Sequence, residues 1–145
     1  MDGIWRGIDE AAGGPRAFRT AGETAFAGRT VLVVEEDPTL ATALATALRA
    51  AGFRAVPSTR VARALADFHQ ALPDLVILDL AVGARVGLDL LAALRALGAV
   101  PVVVLCARAD PALAAEALSE GACACVTKPF GVEALLTPLR AALCA

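Results

Sequence analysis

The sequence predicts an α/β domain in which a buried parallel sheet is covered by helices on both faces. Three observations carry that reading. Short runs of Val, Leu and Ile, too short for helices, recur without polar alternation, as strands buried on both faces do. Between them lie longer segments with leucine at helical spacing, several opened by a capping residue or Pro and closed by Gly. Five strand–helix pairs from about Thr30 onward imply parallel pairing with helical crossovers, and right-handed crossovers make a (βα)5 three-layer sandwich.

The elements follow in order. Residues 1–28 mix Gly, Ala, Arg, Thr and acids without periodicity, with Gly13-Gly14-Pro15 breaking any helix, and read as a flexible leader before a domain over 29–145. Trp5 in that leader has no readable role. Val31-Leu32-Val33-Val34 is the first strand, ending in Glu35, Glu36 and Asp37. Asp37-Pro38 starts a helix with a capping carboxylate and Pro at the first position. Leu40, Leu44 and Leu48 recur along it, and Gly52 ends it. Phe53 to Val56 is the second strand. Ser58 or Thr59 caps a second helix with Val61, Leu65, Phe68 and Leu72 on one stripe. The third strand, Leu75 to Leu78, ends on Asp79, and a glycine-bearing loop from Ala81 to Gly87 follows. A third helix carries Leu90, Leu91, Leu94 and Leu97. Pro101 to Leu105 is the fourth strand. Asp110-Pro111 repeats the helix-start signal for a fourth helix with Leu113, Ala117 and Leu118, ending at Gly121. Ala122 to Thr127 is the fifth strand and Val132 to Leu143 the fifth helix, which Pro138 should bend or split.

Composition narrows the function. At 145 residues, 58% hydrophobic and 19% charged, the chain can bury one real core. No apolar run reaches the roughly 18 residues of a membrane span, and no basic segment precedes an apolar one as in a secretory signal, so a cytoplasmic protein is expected. The net charge is -2 and the arginines are scattered, so no nucleic-acid contact by this chain is expected. Four cysteines, Cys106, Cys123, Cys125 and Cys144, fit neither a zinc ribbon nor a C-x-x-C redox pair, and their default is buried thiols. Adjacent parallel strands rarely provide disulfide geometry, so a Cys106–Cys125 redox switch is the lesser reading. Lys128 is the only lysine in a chain that otherwise uses Arg.

In such a fold the ends of strands one, three, four and five face one crevice, where open α/β sheets bind ligands. The sequence puts Glu35, Glu36, Asp37, Asp79, Cys106 and Lys128 there. Acids from two strands held close must share a proton or a cation. Oxygen ligands alone favour a hard ion such as Mg²⁺. A carboxylate nucleophile, a divalent cation and a lysine are the parts needed to accept a phosphoryl group on an aspartate. Each residue also has a plainer role: Asp79 as a turn cap, the acid triplet as helix N-terminal charge, Lys128 as a surface lysine.

The blocks Val31-Leu32-Val33-Val34-Glu35-Glu36-Asp37-Pro38, Asp74 to Leu80, Val102 to Arg108, and Gly121-Ala122 with Thr127-Lys128-Pro129-Phe130 resemble the receiver domain of bacterial response regulators. The resemblance covers about residues 30 to 143. It implies a flavodoxin-like sheet of order 2-1-3-4-5. It implies Asp79 as the phosphoacceptor, served by a sensor histidine kinase or phosphotransfer protein. It implies Mg²⁺ held by Glu36, Asp79 and the backbone carbonyl of Ala81, with Glu35 acting through water. Lys128 would pair with the phosphoryl oxygens, Cys106 would stand at the phosphoryl-contacting position, and the Lys128–Pro129 peptide would be cis. The signal would pass to a downstream protein or output domain, and the face of the fourth helix, fifth strand and fifth helix is one that receivers use to form homodimers. On this resemblance the chain is a phosphoacceptor at most, not an enzyme.

Several positions depart from the family pattern. Glu36 replaces the usual Asp, moving a metal ligand by roughly an ångström. Cys106 replaces Thr or Ser with a weaker donor, and Cys125 replaces the switch aromatic. Gly83-Ala84 and Val86 replace the usual loop residues. These substitutions keep open a pseudo-receiver, a protein-binding module independent of phosphorylation. A small flavodoxin-like redox protein is a further alternative, though no glycine-rich phosphate loop supports it.

Overall fold

A computed structural model describes residues 26–144; the leader through residue 25, with Trp5, lies outside them. The elements are β1 (Thr30–Val34), α1 (Pro38–Ala50), β2 (Arg54–Ser58), α2 (Ala64–Ala71), β3 (Leu75–Asp79), α3 (Ala84–Ala96), β4 (Val102–Ala107), α4 (Pro111–Ser119), β5 (Ala124–Lys128) and α5 (Val132–Cys144). All strand pairs are parallel and the order is β2-β1-β3-β4-β5, the sandwich expected from the sequence.

Strand alternation divides the core between the two faces of the sheet. Val31, Val33, Ile77, Val103 and Leu105 pack on one side with Leu44 and Leu48 of α1 and Leu135 and Leu139 of α5. Leu32, Val34, Val76, Leu78 and Val104 pack on the other with Phe68 of α2, Leu91 and Leu94 of α3 and Ala117 of α4. Every residue of β1 and β3 is buried. Burying one such side chain is worth about 1.5–3 kcal/mol, against about 1 kcal/mol for a helix cap. The apolar runs therefore set the fold, and the caps at Asp37 and Asp110, which accept from Thr39 N and Leu113 N, trim its helix ends.

Five local readings change. The second helix does not begin at Ser58 or Thr59. Ser58 closes β2 and its hydroxyl donates to Asp67 at 2.8 Å, while a 3₁₀ turn at Val61–Arg63 precedes α2. The tighter turn rotates the following residues, so Ala64 and Phe68 are buried whereas Leu65 and Leu72 are exposed. The loop after Asp79 is shorter than expected: a 3₁₀ turn at Leu80–Val82 leads through Gly83, at φ +119°, straight into α3. Leu97 and Leu118, expected in the core stripes, are exposed. Pro138 does not split α5, which runs unbroken while Leu135, Leu136 and Leu139 anchor its inner face. Ahead of β1, Phe26 is fully buried and stacks on Phe53 with ring centroids 4.4 Å apart, so the packed core includes a residue placed in the leader by sequence. Among the described residues no helix is long and apolar enough to cross a membrane.

Leu72 ends α2 in the left-handed region, at φ 48°, with its side chain 77% exposed. That conformation costs a branched residue about 1 kcal/mol, and the exposed side chain returns little packing. Leu72→Gly is expected to raise stability by roughly 0.5–1 kcal/mol, measured by urea unfolding; a loss of stability would mean that the leucine packs usefully where it is.

Candidate functional site

The register of the sheet brings its chemistry to the carboxyl edge. Asp79, last in β3, pairs with Leu105 of β4, and Lys128, last in β5, pairs with Ala107. Two strand spacings, about 10 Å, separate β3 from β5, a gap that the four-carbon stem of a lysine can cross. Lys128 Nζ donates to Asp79 Oδ2 at 2.6 Å, with the carboxylate 1% and the lysine side chain 15% exposed. The second oxygen, Oδ1, accepts from Ala81 N at 2.9 Å as the chain turns into the 3₁₀ segment. Both oxygens of Asp79 are thus oriented.

Glu35 lies against this pair and is also buried. Its Oε1 accepts from Asp37 N at 3.0 Å, whereas Oε2 is buried with no donor facing it. Asp79 offers Glu35 only acceptor oxygens, so their contact is a hydrogen bond when Glu35 holds the proton. Burial, then the hydrogen bond to Asp79 and its negative charge, push Glu35 up to about 8. Burial pulls Asp79 the other way from its partners, but donation from Glu35 and Lys128 prevails and holds it below its ordinary 3.8. The site thus holds one carboxylate, one carboxylic acid and one ammonium near neutral pH.

Glu36, expected as a direct metal ligand, is exposed, and its side chain makes no hydrogen bond among the described residues. Those residues contain no ready-made group of three His, Cys, Asp or Glu side chains for a metal. The donor chemistry nevertheless fits Mg²⁺. An orphaned buried carboxyl oxygen beside a second carboxylate is an oxygen-only pair that a hard cation would satisfy in place of the proton. The Lys128–Pro129 peptide is cis.

Residues 31–140 match the response regulator receiver domain family. The chain belongs to that family. Its relatives include the transcriptional regulatory protein KdpE of Mycobacterium tuberculosis, 40% identical over 113 residues that are 78% of this chain and 50% of KdpE. The DNA-binding response regulator MtrA of Mycolicibacterium smegmatis is 38% identical over the same shares. This receiver chain spans about half the length of the curated relatives it matches. Among solved structures, the BeF3-activated receiver domain of RstA from Klebsiella pneumoniae is 29% identical with a TM-score of 0.73, covering 79% of this chain and 97% of that one. The chain is therefore a receiver of the two-component phosphorelay class, with the flavodoxin-like fold of that family.

Two features of this receiver differ from the reading the sequence favoured. Glu35, given a role through water, is the acid packed directly on Asp79. The cysteines are not four buried thiols: Cys123 and Cys144 are exposed, and Cys106 and Cys125 meet as a disulfide with Cα atoms 6.5 Å apart. In this state the sulfur of Cys106 is engaged by Cys125 rather than presented at the acidic edge. The signal was the register itself. Cys106 pairs with Thr127, so Cys125 is its diagonal neighbour on the same face.

Proposed function

We propose that Asp79 accepts a phosphoryl group from the phosphohistidine of a sensor histidine kinase or phosphotransfer protein. The observation that carries this reading is a buried strand-end carboxylate with Lys128 Nζ 2.6 Å from one oxygen and the buried Glu35 beside it. A carboxylate oxygen of Asp79 attacks phosphorus as the P–N bond breaks, and the bonding pair leaves with the imidazole nitrogen. Lys128 transfers its hydrogen bond from Asp79 Oδ2 to a phosphoryl oxygen, where a mobile point charge serves better than a rigid guanidinium. Glu35, Glu36, Asp79 and the carbonyl of Ala81 would hold Mg²⁺, which when bound offsets charge on the phosphoryl oxygens. To join that set Glu35 would give up its proton.

The acyl phosphate then alters the surface offered to a downstream protein or output domain. The α4-β5-α5 face, where Leu118 is exposed, is the proposed homodimer surface. The cytoplasm, where kinase and receiver exchange phosphate, is the proposed location. No step calls for turnover of a separate substrate, so the chain acts as a phosphoacceptor rather than an enzyme.

A second reading, the phosphorylation-independent pseudo-receiver, is favoured by the engaged sulfur of Cys106 and the exposed side chain of Glu36. One experiment separates the two. Incubation with Mg²⁺ and acetyl phosphate is expected to add a single phosphate, mapped by peptide mass spectrometry to Asp79. A spectrum free of any adduct would leave the pseudo-receiver standing.

A further inference from the structure

Cys106 and Cys125 occupy the same face of the sheet, toward α3 and α4, in a core otherwise made of Leu, Val, Ala and one Phe. Their Cα separation of 6.5 Å falls inside the range of about 4.4–6.8 Å that a disulfide spans. They are not equally accessible. Cys106 is 1% exposed on the inner strand β4, whereas Cys125 is half-buried on β5, the edge strand of the sheet. A small molecule thus reaches Cys125 first, and Cys106 waits behind it. In a reducing compartment a disulfide between such residues is transient and sensory rather than structural.

We propose that Cys106 and Cys125 form a redox modification site, closed by a hydroperoxide and reopened by a dithiol. The Cys125 thiolate attacks one peroxide oxygen, the O–O bond breaks, and the departing hydroxide or alkoxide takes up a proton. The Cys106 thiol then attacks the Cys125 sulfenic acid: the S–S bond forms, the S–O bond breaks, and hydroxide leaves as water with the proton from Cys106. Two thiols lose two electrons and the peroxide gains them. A dithiol reverses the closure by exchange through a mixed disulfide. The closed form ties β5, which carries Lys128, to β4, and withholds the Cys106 thiol from the edge where Asp79 stands. The chemistry of the pair does not depend on phosphorylation of Asp79, and its test uses no phosphate.

The test uses the full chain with Cys123→Ser and Cys144→Ser, both exposed positions, so that the proposed pair supplies the only thiols. Maleimide labelling in denaturing urea, which uncovers the buried Cys106, followed by intact mass is expected to count two thiols in the reduced protein, none after stoichiometric hydrogen peroxide given to the folded protein, and two again after dithiothreitol. The protein should remain monomeric on a non-reducing gel. Labels that persist after peroxide, a covalent dimer, or oxidation that dithiothreitol does not reverse would each overturn the proposal. Peptide mapping of the peroxide-treated wild type provides a second measurement should the double variant misfold. A Cys106–Cys125 link supports the site; a Cys123–Cys125 link, or none, defeats it.

Discussion

Asp79→Asn is expected to take up no phosphate from acetyl phosphate and Mg²⁺, while unfolding in urea within about 1 kcal/mol of the wild type. The first half follows from chemistry, since the amide keeps the size of the side chain and its acceptor for Ala81 N but loses the nucleophilic oxygen. The second half is less obvious. Removing one partner of a buried ion pair ordinarily costs about 3–5 kcal/mol, because the other charge is left uncompensated. Here a substitute is already in place. Two of the influences that keep Glu35 protonated, the hydrogen bond to Asp79 and its negative charge, disappear with the substitution, while the charge of Lys128 still favours the ionised form. Glu35 then gives up its proton and becomes the counter-charge of Lys128. Proton and negative charge change places, and the site keeps the same total charge. Intact mass and urea midpoints measure the two halves separately. A surviving adduct would place the acceptor elsewhere, and a loss near 3 kcal/mol or more would show that Glu35 does not take over.

That exchange illustrates which parts of the molecule could be read in one dimension. The strands around Leu32 and Ile77 were legible because a strand buried on both faces has no polar positions to confuse its pattern. Asp79 and Lys128 were legible because a parallel sheet brings the ends of its strands to one edge, so sequence order alone predicts the neighbourhood. The second helix was misread because its leucine spacing assumed 3.6 residues per turn from the first residue, and one 3₁₀ turn at Val61–Arg63 was enough to swing Leu65 outward. Glu35 and Glu36 are adjacent and chemically alike, so composition could not tell which would turn inward. The backbone exit from β1 decides it, burying the first and exposing the second. The cysteine pair required knowing the β4–β5 register to the residue, since a slip of one position puts the two side chains on opposite faces.

Glu35 also sets the expected dependence on pH. A carboxyl pushed up to about 8 in the folded chain, against an ordinary 4.5, binds a proton in the native state that the unfolded state has already released. Across that interval the native state carries more protons, so stability falls as pH rises, and it levels off on either side. At about 1.4 kcal/mol per pH unit the full interval corresponds to at most roughly 5 kcal/mol. Asp79 does not blur the trend: held below 3.8, it stabilises the fold above that value and ceases to do so only in stronger acid. In EDTA, urea unfolding between pH 5 and pH 8 is therefore expected to show a decline of several kcal/mol. Glu35→Gln should flatten it, because the amide still accepts from Asp37 N and donates to Asp79 without a titrating proton. Mg²⁺ should work in the opposite sense. Its binding must displace the Glu35 proton, so its affinity rises with pH up to about 8 and proton release accompanies binding below that value. The added stability from the ion then grows over the range in which the ion-free protein weakens. A wild type whose stability is level or rises from pH 5 to pH 8, or a glutamine variant with the same slope, would mean that Glu35 is ionised in the fold and that Asp79 has a carboxylate rather than a carboxylic acid for its neighbour.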